Sequence, residues 1–195
     1  MKTITFVTGN ETKVRHAMEA VKGLDIEIVG KKLDLVESRE EDPAIVVAEK
    51  ADQAFELLLD NLMVEDSGIF IRALGGFPRT FVHFAEETIG IANILKMMEG
   101  VEDRHVEFRQ SLAYLEPGMD EPKIFSYVDG NFTLSDKIWD SEFGDTANFN
   151  KILIPPGESK ALSTFSAEWQ AERDSKTNAE TIHYRQLAKW LANRK

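Results

Sequence analysis

The sequence predicts an α/β fold around a mixed β-sheet, and three observations carry that reading. Short apolar runs alternate with stretches of helical periodicity through the first half of the chain, the pattern of strand–helix–strand units with parallel strands. The period then changes. "HVEFRQSLAYLE" and "KIFSYVDGNFTLS" alternate apolar and polar residues on either side of a Pro-Gly turn, as an antiparallel hairpin does. At 195 residues, finally, the chain is long enough to bury an ordinary core as one domain spanning 1–195, without disulfide or metal staples.

In chain order, residues 4–8 read as a short buried strand and 12–21 as a helix closed by Gly23. Residues 25–29 form a second predicted strand, and "DLVESREEDP" an acidic loop. A long helix is predicted over 43–59, with Asp42 as its N-cap and Pro43 at its first position. "NLMVEDSGIFI" follows as a buried strand broken at 66–68, and after "ALGGFP" a helix is predicted over 88–99. Beyond the hairpin, "FNKILIPPG" predicts a final strand ending in a proline turn. Residues 179–193 predict a C-terminal helix whose apolar stripe includes Ile182, Leu187 and Leu191.

The formal net charge of −11 opposes binding to nucleic acid or to anionic lipid, whose phosphates repel an acidic protein at long range. An acidic protein that handles a small phosphate must gather cations locally or recruit a divalent metal. There is no cysteine, which excludes a thiolate nucleophile and Cys-ligated metals and suits a reducing, cytoplasmic setting. No basic leader precedes an apolar run and no run reaches bilayer length, so neither export nor a membrane partner is expected. The four histidines show no ligand spacing of the HExxH kind.

Two short motifs carry candidate chemistry. In "TGNETK", residues 8–13, Gly9 permits a tight bend from strand to helix, the helix's unpaired N–H groups face that bend, and Lys13 adds a positive charge. These are the parts of a phosphate cradle, and they also suit an ordinary turn with a solvated lysine. "VEDSG", residues 64–68, sets two carboxylates at the C-terminal end of a buried strand, where open α/β sheets bind ligands. Asp66 there can hold a hard cation, accept a proton from water, or cap the turn. Glu37, Glu40, Glu41 and Asp42 cluster before the long helix, and Lys50 within it either reaches an anion or lies on the wet face. Trp139, Phe143, Phe149 and Trp169 are base-stacking candidates or core residues.

Taken in order, "FVTGNETKV", "LDLVE", the Lys50 helix, "VEDSGIFIRALGGFP" and "NFNKILIPPG" resemble the inosine triphosphate pyrophosphatase family over nearly the whole chain. The resemblance implies a two-lobed α/β fold with a long central mixed sheet flanked by helices, a homodimer, and a nucleotide cleft between the lobes. It also implies magnesium-assisted attack of water on the α-phosphorus of a nucleoside triphosphate, releasing a nucleoside monophosphate and pyrophosphate. By the same resemblance Thr8, Gly9, Asn10, Lys13, Lys50, Ser67 and Gly68 would hold the substrate, Glu37 and Asp66 would bind Mg2+, and Asp66, Lys13 and Glu37 would be catalytic. Phe149, Lys176, His183, Tyr184 and Arg185 fall where the family reads the base.

That base-reading half departs from the family. An aromatic, a glycine, a second aromatic and an aspartate are replaced by Ala147, Asn148, Phe149 and Asn150; Ser-His-Arg corresponds to His183, Tyr184 and Arg185; the glycine after "GGFP" is Arg79. The departures imply a preference for a base other than hypoxanthine, with Phe149 or Tyr184 offering a stacking surface. A binding or regulatory protein on the same fold is the second reading. Lys13, Glu37, Lys50 and Asp66 favour an enzyme, because a pure binder needs no water-activating carboxylate.

Overall fold

In the computed structural model of the chain, alternation along β1 (Lys2–Val7) sets where the first helices pack. Ile4 and Phe6 face one side of the strand and Val7 the other, because successive side chains of an extended strand point to opposite faces. Ile4 and Phe6 join a core with Met63, Leu112 and Tyr114, covered by α1 (Glu11–Ala20) and α6 (His183–Ala192) through Ala17, Ala20, Leu187 and Ala188. Val7 joins a second core with Leu62, Val64, Ala113 and Leu115, covered by α2 (Pro43–Leu58) through Val47, Ala51 and Ala54. Both faces are therefore buried, which is why "LMV" reads as a continuous apolar run.

Among the described residues seven strands form one mixed sheet. Besides β1 they are β2 (Ile26–Lys31), β3 (Leu62–Ile71), β4 (Pro78–Arg79), β5 (His105–Leu115), β6 (Lys123–Leu134) and β7 (Leu153–Ile154). Their order is β2-β1-β3-β5-β6-β7, with β4 paired to β3. β1 lies parallel to β2 from Lys2↔Ile26 to Val7↔Lys31 and parallel to β3 at Thr5↔Leu62; β4 on β3 and β7 on β6 are antiparallel.

The structure describes residues 1–141, 143, 147–177 and 182–194, without the side chains of 171 and 174–177. The chain forms two compact units. The first comprises Met1–Ser67, Gln110–Tyr127 and the C-terminal segment that carries α6. The second comprises Gly68–Arg109 and the segment from Val128 that carries β7 and α5 (Ala167–Thr177), and its own core is built from residues such as Ile71, Ile94, Met98, Phe132, Phe149 and Leu153. Among the described residues no helix is long and apolar enough to cross a membrane.

Several expected boundaries move, each for a local reason. β3 is unbroken at Asp66 and Ser67. The helix α3 (Val82–Thr88) was not expected, and the helix expected over 88–99 is the shorter α4 (Ile91–Met97), which starts after Gly90, whose φ of +76° leaves the helical region. The expected final strand shrinks to β7, because Asn148–Lys151 winds into a 3-10 turn that sends Phe149 inward. α5 was not expected: "AEWQAERDSKT" has no apolar stripe, and Trp169 is the anchor that packs on the core. The start of the predicted C-terminal helix at Ala179 lies outside the described residues, and the helix itself runs from His183.

Gly68 explains the continuity of β3. A Cβ on it would lie 2.6 Å from the carbonyl oxygen of Arg79 and 2.9 Å from the Phe70 ring, so only glycine lets β4 pair here, at Ile69↔Arg79. Arg79 keeps the left-handed backbone suited to glycine, with φ +58°, and its guanidinium donates to Gly75 O at 2.9 Å. Gly68→Ala is expected to destabilise the fold by about 1–3 kcal/mol through this overlap, read as a lowered urea midpoint.

Candidate active site

Because β3 stays extended, the two carboxylates of "VEDSG" point to opposite faces. Glu65 follows Met63 toward α1 and α6, whereas Asp66 follows Val64 toward α2. Each meets a lysine from the helix on its own side. Lys13 Nζ lies 3.4 Å from Glu65 Oε1, and Lys50 Nζ lies 2.5 Å from Asp66 Oδ2. Lys50 is shared with Glu37, whose Oε1 is 2.9 Å away. The adjacency of the two acids in sequence thus makes two separate lysine–carboxylate pairs, not one shared cation site.

The lysines are set by helix starts. Asn10 caps α1, its Oδ1 accepting from Thr12 N at 2.9 Å and Lys13 N at 3.3 Å, while Asn10 N donates to Thr8 Oγ1 at 3.1 Å. Three N–H groups expected to face a phosphate are therefore already engaged, which corrects the simple picture of an open cradle. Asp42 caps α2 by accepting from Ala44 N at 2.9 Å, with Pro43 at the first position as predicted. One turn beyond Lys50, the Gln53 amide clamps the backbone of Val36 in both directions, at 2.9 and 3.1 Å. That clamp holds Glu37 beside Lys50, although Glu37 itself is 79 % exposed.

Glu65 is only 4 % exposed and takes a second donor, the Tyr184 hydroxyl. A carboxylate removed from water needs such partners, since an unpaired buried charge is very costly. Burial and the neighbouring Glu65 charge push the Tyr184 hydroxyl pKa well up, so it remains a donor. Burial opposes the charge on Lys50, yet hydrogen bonds and attraction from Asp66 and Glu37 outweigh it and raise its pKa. His183 is 1 % exposed; burial, then the charges of Lys13 and His16, lower its pKa to about 3. Neither of its ring nitrogens has a hydrogen-bond partner among the described residues, and Nε2 stands 3.9 Å from Glu65 Oε1.

The residues expected to read a base are placed differently from that expectation. Phe149 is 1 % exposed in the core of the second unit, pinned by its N–H to Glu86 Oε1 at 3.1 Å, so its ring offers no stacking face. Tyr184 is also a core ring, edge-on to Phe6. Arg185 Nη1 donates to Ala20 O at 3.3 Å, at the far end of α1 from Asn10. Lys176 lies in α5, with its side chain outside the described residues. Ser67 N–H donates to Asp66 Oδ1 at 2.7 Å, fixing that carboxylate. Trp169 stacks on Phe165 with centroids 3.9 Å apart. Sequence reasoning missed Glu65 and Gln53. The period of two along β3 pointed to the first, and the i,i+3 spacing from Lys50 to the second.

No group of three or more metal-ligating side chains gathers among the described residues. Glu37 and Asp66 nevertheless offer two hard oxygen donors around one ammonium. That matches the one or two carboxylates Mg2+ usually takes from a protein, the rest of its shell being water and phosphate oxygen.

Glu65 and Asp66 lie in the middle of β3 and not at its C-terminal end as the sequence predicts, just past the register Phe6↔Met63 where β3 pairs parallel to β1, and each holds a lysine carried by a helix of this α/β fold. The chain belongs to the Ham1 family, which it matches over residues 4–188. It is 40 % identical over 128 residues to a dITP/XTP pyrophosphatase of Methanosarcina acetivorans, covering 66 % of this chain and 69 % of that protein. It is 33 % identical over 190 residues to a dITP/XTP pyrophosphatase of Methanopyrus kandleri, covering 97 % and 96 %. In fold it is similar to a HAM1 protein from Coxiella burnetii, with TM-score 0.79, 19 % identity and 98 % and 99 % coverage. The Staphylococcus aureus Ham1 protein gives TM-score 0.78 at 18 % identity, with both chains fully covered.

The buried His183 yields a pH test. Its folded pKa lies below the usual 6.5, so the unfolded chain binds this proton first and stability falls as pH drops from 6.5 toward 3. His183→Gln removes that contribution. Between pH 7 and pH 5 the variant is expected to gain about 2 kcal/mol relative to the parent chain. Urea denaturation at both pH values checks this.

Proposed function

We propose that the chain is a nucleoside triphosphate pyrophosphohydrolase acting on unusual or modified (d)NTPs, and that it works with Mg2+ as a cytoplasmic homodimer. The observation that carries the reading is the pair of lysine–carboxylate contacts, Lys13–Glu65 and Lys50–Asp66, in a chain of the Ham1 family whose relatives are named dITP/XTP pyrophosphatases. The metal and the dimer rest on the family resemblance, and the absence of cysteine suits a reducing compartment.

In this reading Asp66, held by Ser67 N–H, orients a water and takes its proton as the oxygen attacks the α-phosphorus. The bond from that phosphorus to the α–β bridging oxygen breaks, and pyrophosphate leaves with its electron pair. Lys13 and Lys50 sit beside acids that keep them charged and in place, and their ammonium groups offset the charge that builds on phosphate oxygens. Glu37 and Asp66 would hold Mg2+, which supplies further positive charge at the phosphates. Glu65 holds Lys13 and takes no proton in this scheme. With Phe149 and Tyr184 buried and Arg185 bonded to α1, the family's usual contacts to a 6-oxopurine are not offered by these residues, which supports a shifted base preference.

Assay of pyrophosphate release across standard, deaminated and modified nucleoside triphosphates tests both halves. A best substrate with neither hypoxanthine nor xanthine is expected; dITP or XTP leading by a wide margin in kcat/KM returns the base preference to that of the named relatives and leaves the reaction standing. Asp66→Asn is expected to lower kcat by about 10² or more with the fold intact. Lys13→Met and Lys50→Met are each expected to weaken all nucleotides by one common factor, because a phosphate contact carries no base information.

A further inference from the structure

Lys32 follows β2 directly and lies along the bend that precedes α1. A Cβ on Gly9 would sit 3.5 Å from Lys32 Cδ, 3.8 Å from Cγ and 4.0 Å from Cε, so the lysine stem crosses the loop of residues 8–10 and its ammonium is one bond further. The sheet sets this up. β1 and β2 run parallel to Val7↔Lys31, and Thr8 N–H then donates to Lys31 O at 3.0 Å, so the two segments leave the sheet side by side.

The two lysines of the candidate site are already committed. Lys13 is held by Glu65, and Lys50 by Asp66 and Glu37. The Lys13 charge is thus offset on one face of the sheet and the Lys50 charge, by two acids, on the other. The N–H groups of Asn10, Thr12 and Lys13 are engaged by Thr8 and Asn10 side chains. A polyphosphate approaching the bend thus meets lysines and N–H groups that are already engaged. Lys32 is exposed and makes no ion pair or side-chain hydrogen bond among the described residues, so it can turn to an anion without breaking a contact.

We propose that Lys32 is a polyphosphate-binding residue of this site, supplying the uncommitted positive charge over Gly9. The inference rests on the reading above that residues 8–13 hold the phosphates. Its stem stays on the loop, while the flexible ammonium reaches phosphate oxygens as a point charge.

The test is calorimetric titration of inorganic tripolyphosphate into the full chain and into Lys32→Met, Lys32→Arg and Lys22→Met, beside pyrophosphate-release kinetics on the best nucleotide. Lys22 lies past the opposite end of α1 and controls for net charge. Lys32→Met is expected to weaken tripolyphosphate about tenfold and to flatten its salt dependence. Lys32→Arg is expected to bind within a few-fold of the parent chain and Lys22→Met to match it; KM then rises in Lys32→Met with kcat little changed. An unchanged Kd in Lys32→Met, or an equal loss in Lys22→Met, overturns the assignment while leaving the hydrolase reading intact. Tripolyphosphate binding that depends on Lys32 without pyrophosphate release from any nucleotide supports the lysine and overturns the reaction. Absence of tripolyphosphate binding by the parent chain overturns the lysine assignment, and pyrophosphate release alone then decides the hydrolase reading.

Discussion

Glu65 and Asp66 are neighbours on an extended strand, and the geometry of that strand sends one to each face of the sheet. Much of the first unit's chemistry follows from this division. One face carries α1 and α6, so Glu65 meets Lys13 and Tyr184; the other carries α2, so Asp66 meets Lys50. The apolar cores place the helices, and the helices bring the lysines. Without Ala17 and Leu187 on one side, and Ala51 and Ala54 on the other, neither ammonium would find its acid.

The two pairs differ in what surrounds them. Glu65 is almost wholly buried, so Lys13 and the Tyr184 hydroxyl offset a desolvation cost, and losing a partner from such a pair typically costs about 3–5 kcal/mol. Asp66 is 21 % exposed and shares Lys50 with the solvent-facing Glu37. That second pair is the shorter contact, 2.5 Å against 3.4 Å, yet its acid is the one that solvent and a ligand can reach. The buried acid therefore suits a structural anchor, and the accessible one suits chemistry.

The strand–helix alternation, the Asp42–Pro43 helix start and the hairpin were legible because each has a local cause: a period, a cap, a turn. Lys13, Glu37, Lys50 and Asp66 were legible as a group through the family resemblance, and the structure brings Glu37, Lys50 and Asp66 into contact. Glu65 was hidden by its own neighbour, since adjacency in sequence suggested a shared task that the pleat forbids. Gln53 was hidden because its action is on a loop backbone, which carries no composition signal. Phe149 read as core or as a stacking surface and Tyr184 as a stacking surface, and tertiary packing puts both in the core. α5 has a polar sequence with one ring as anchor, below what periodicity can detect.

Double-mutant cycles on folding stability test the division of the two acids most directly, using Lys13→Met with Glu65→Gln and Lys50→Met with Asp66→Asn. Opposite faces require coupling of at least about 0.5 kcal/mol within each pair, and additivity to within about 0.5 kcal/mol for the crossed combinations Lys13 with Asp66 and Lys50 with Glu65. Crossed coupling as large as the coupling within pairs would mean that the four groups form a single cluster, and would contradict the account.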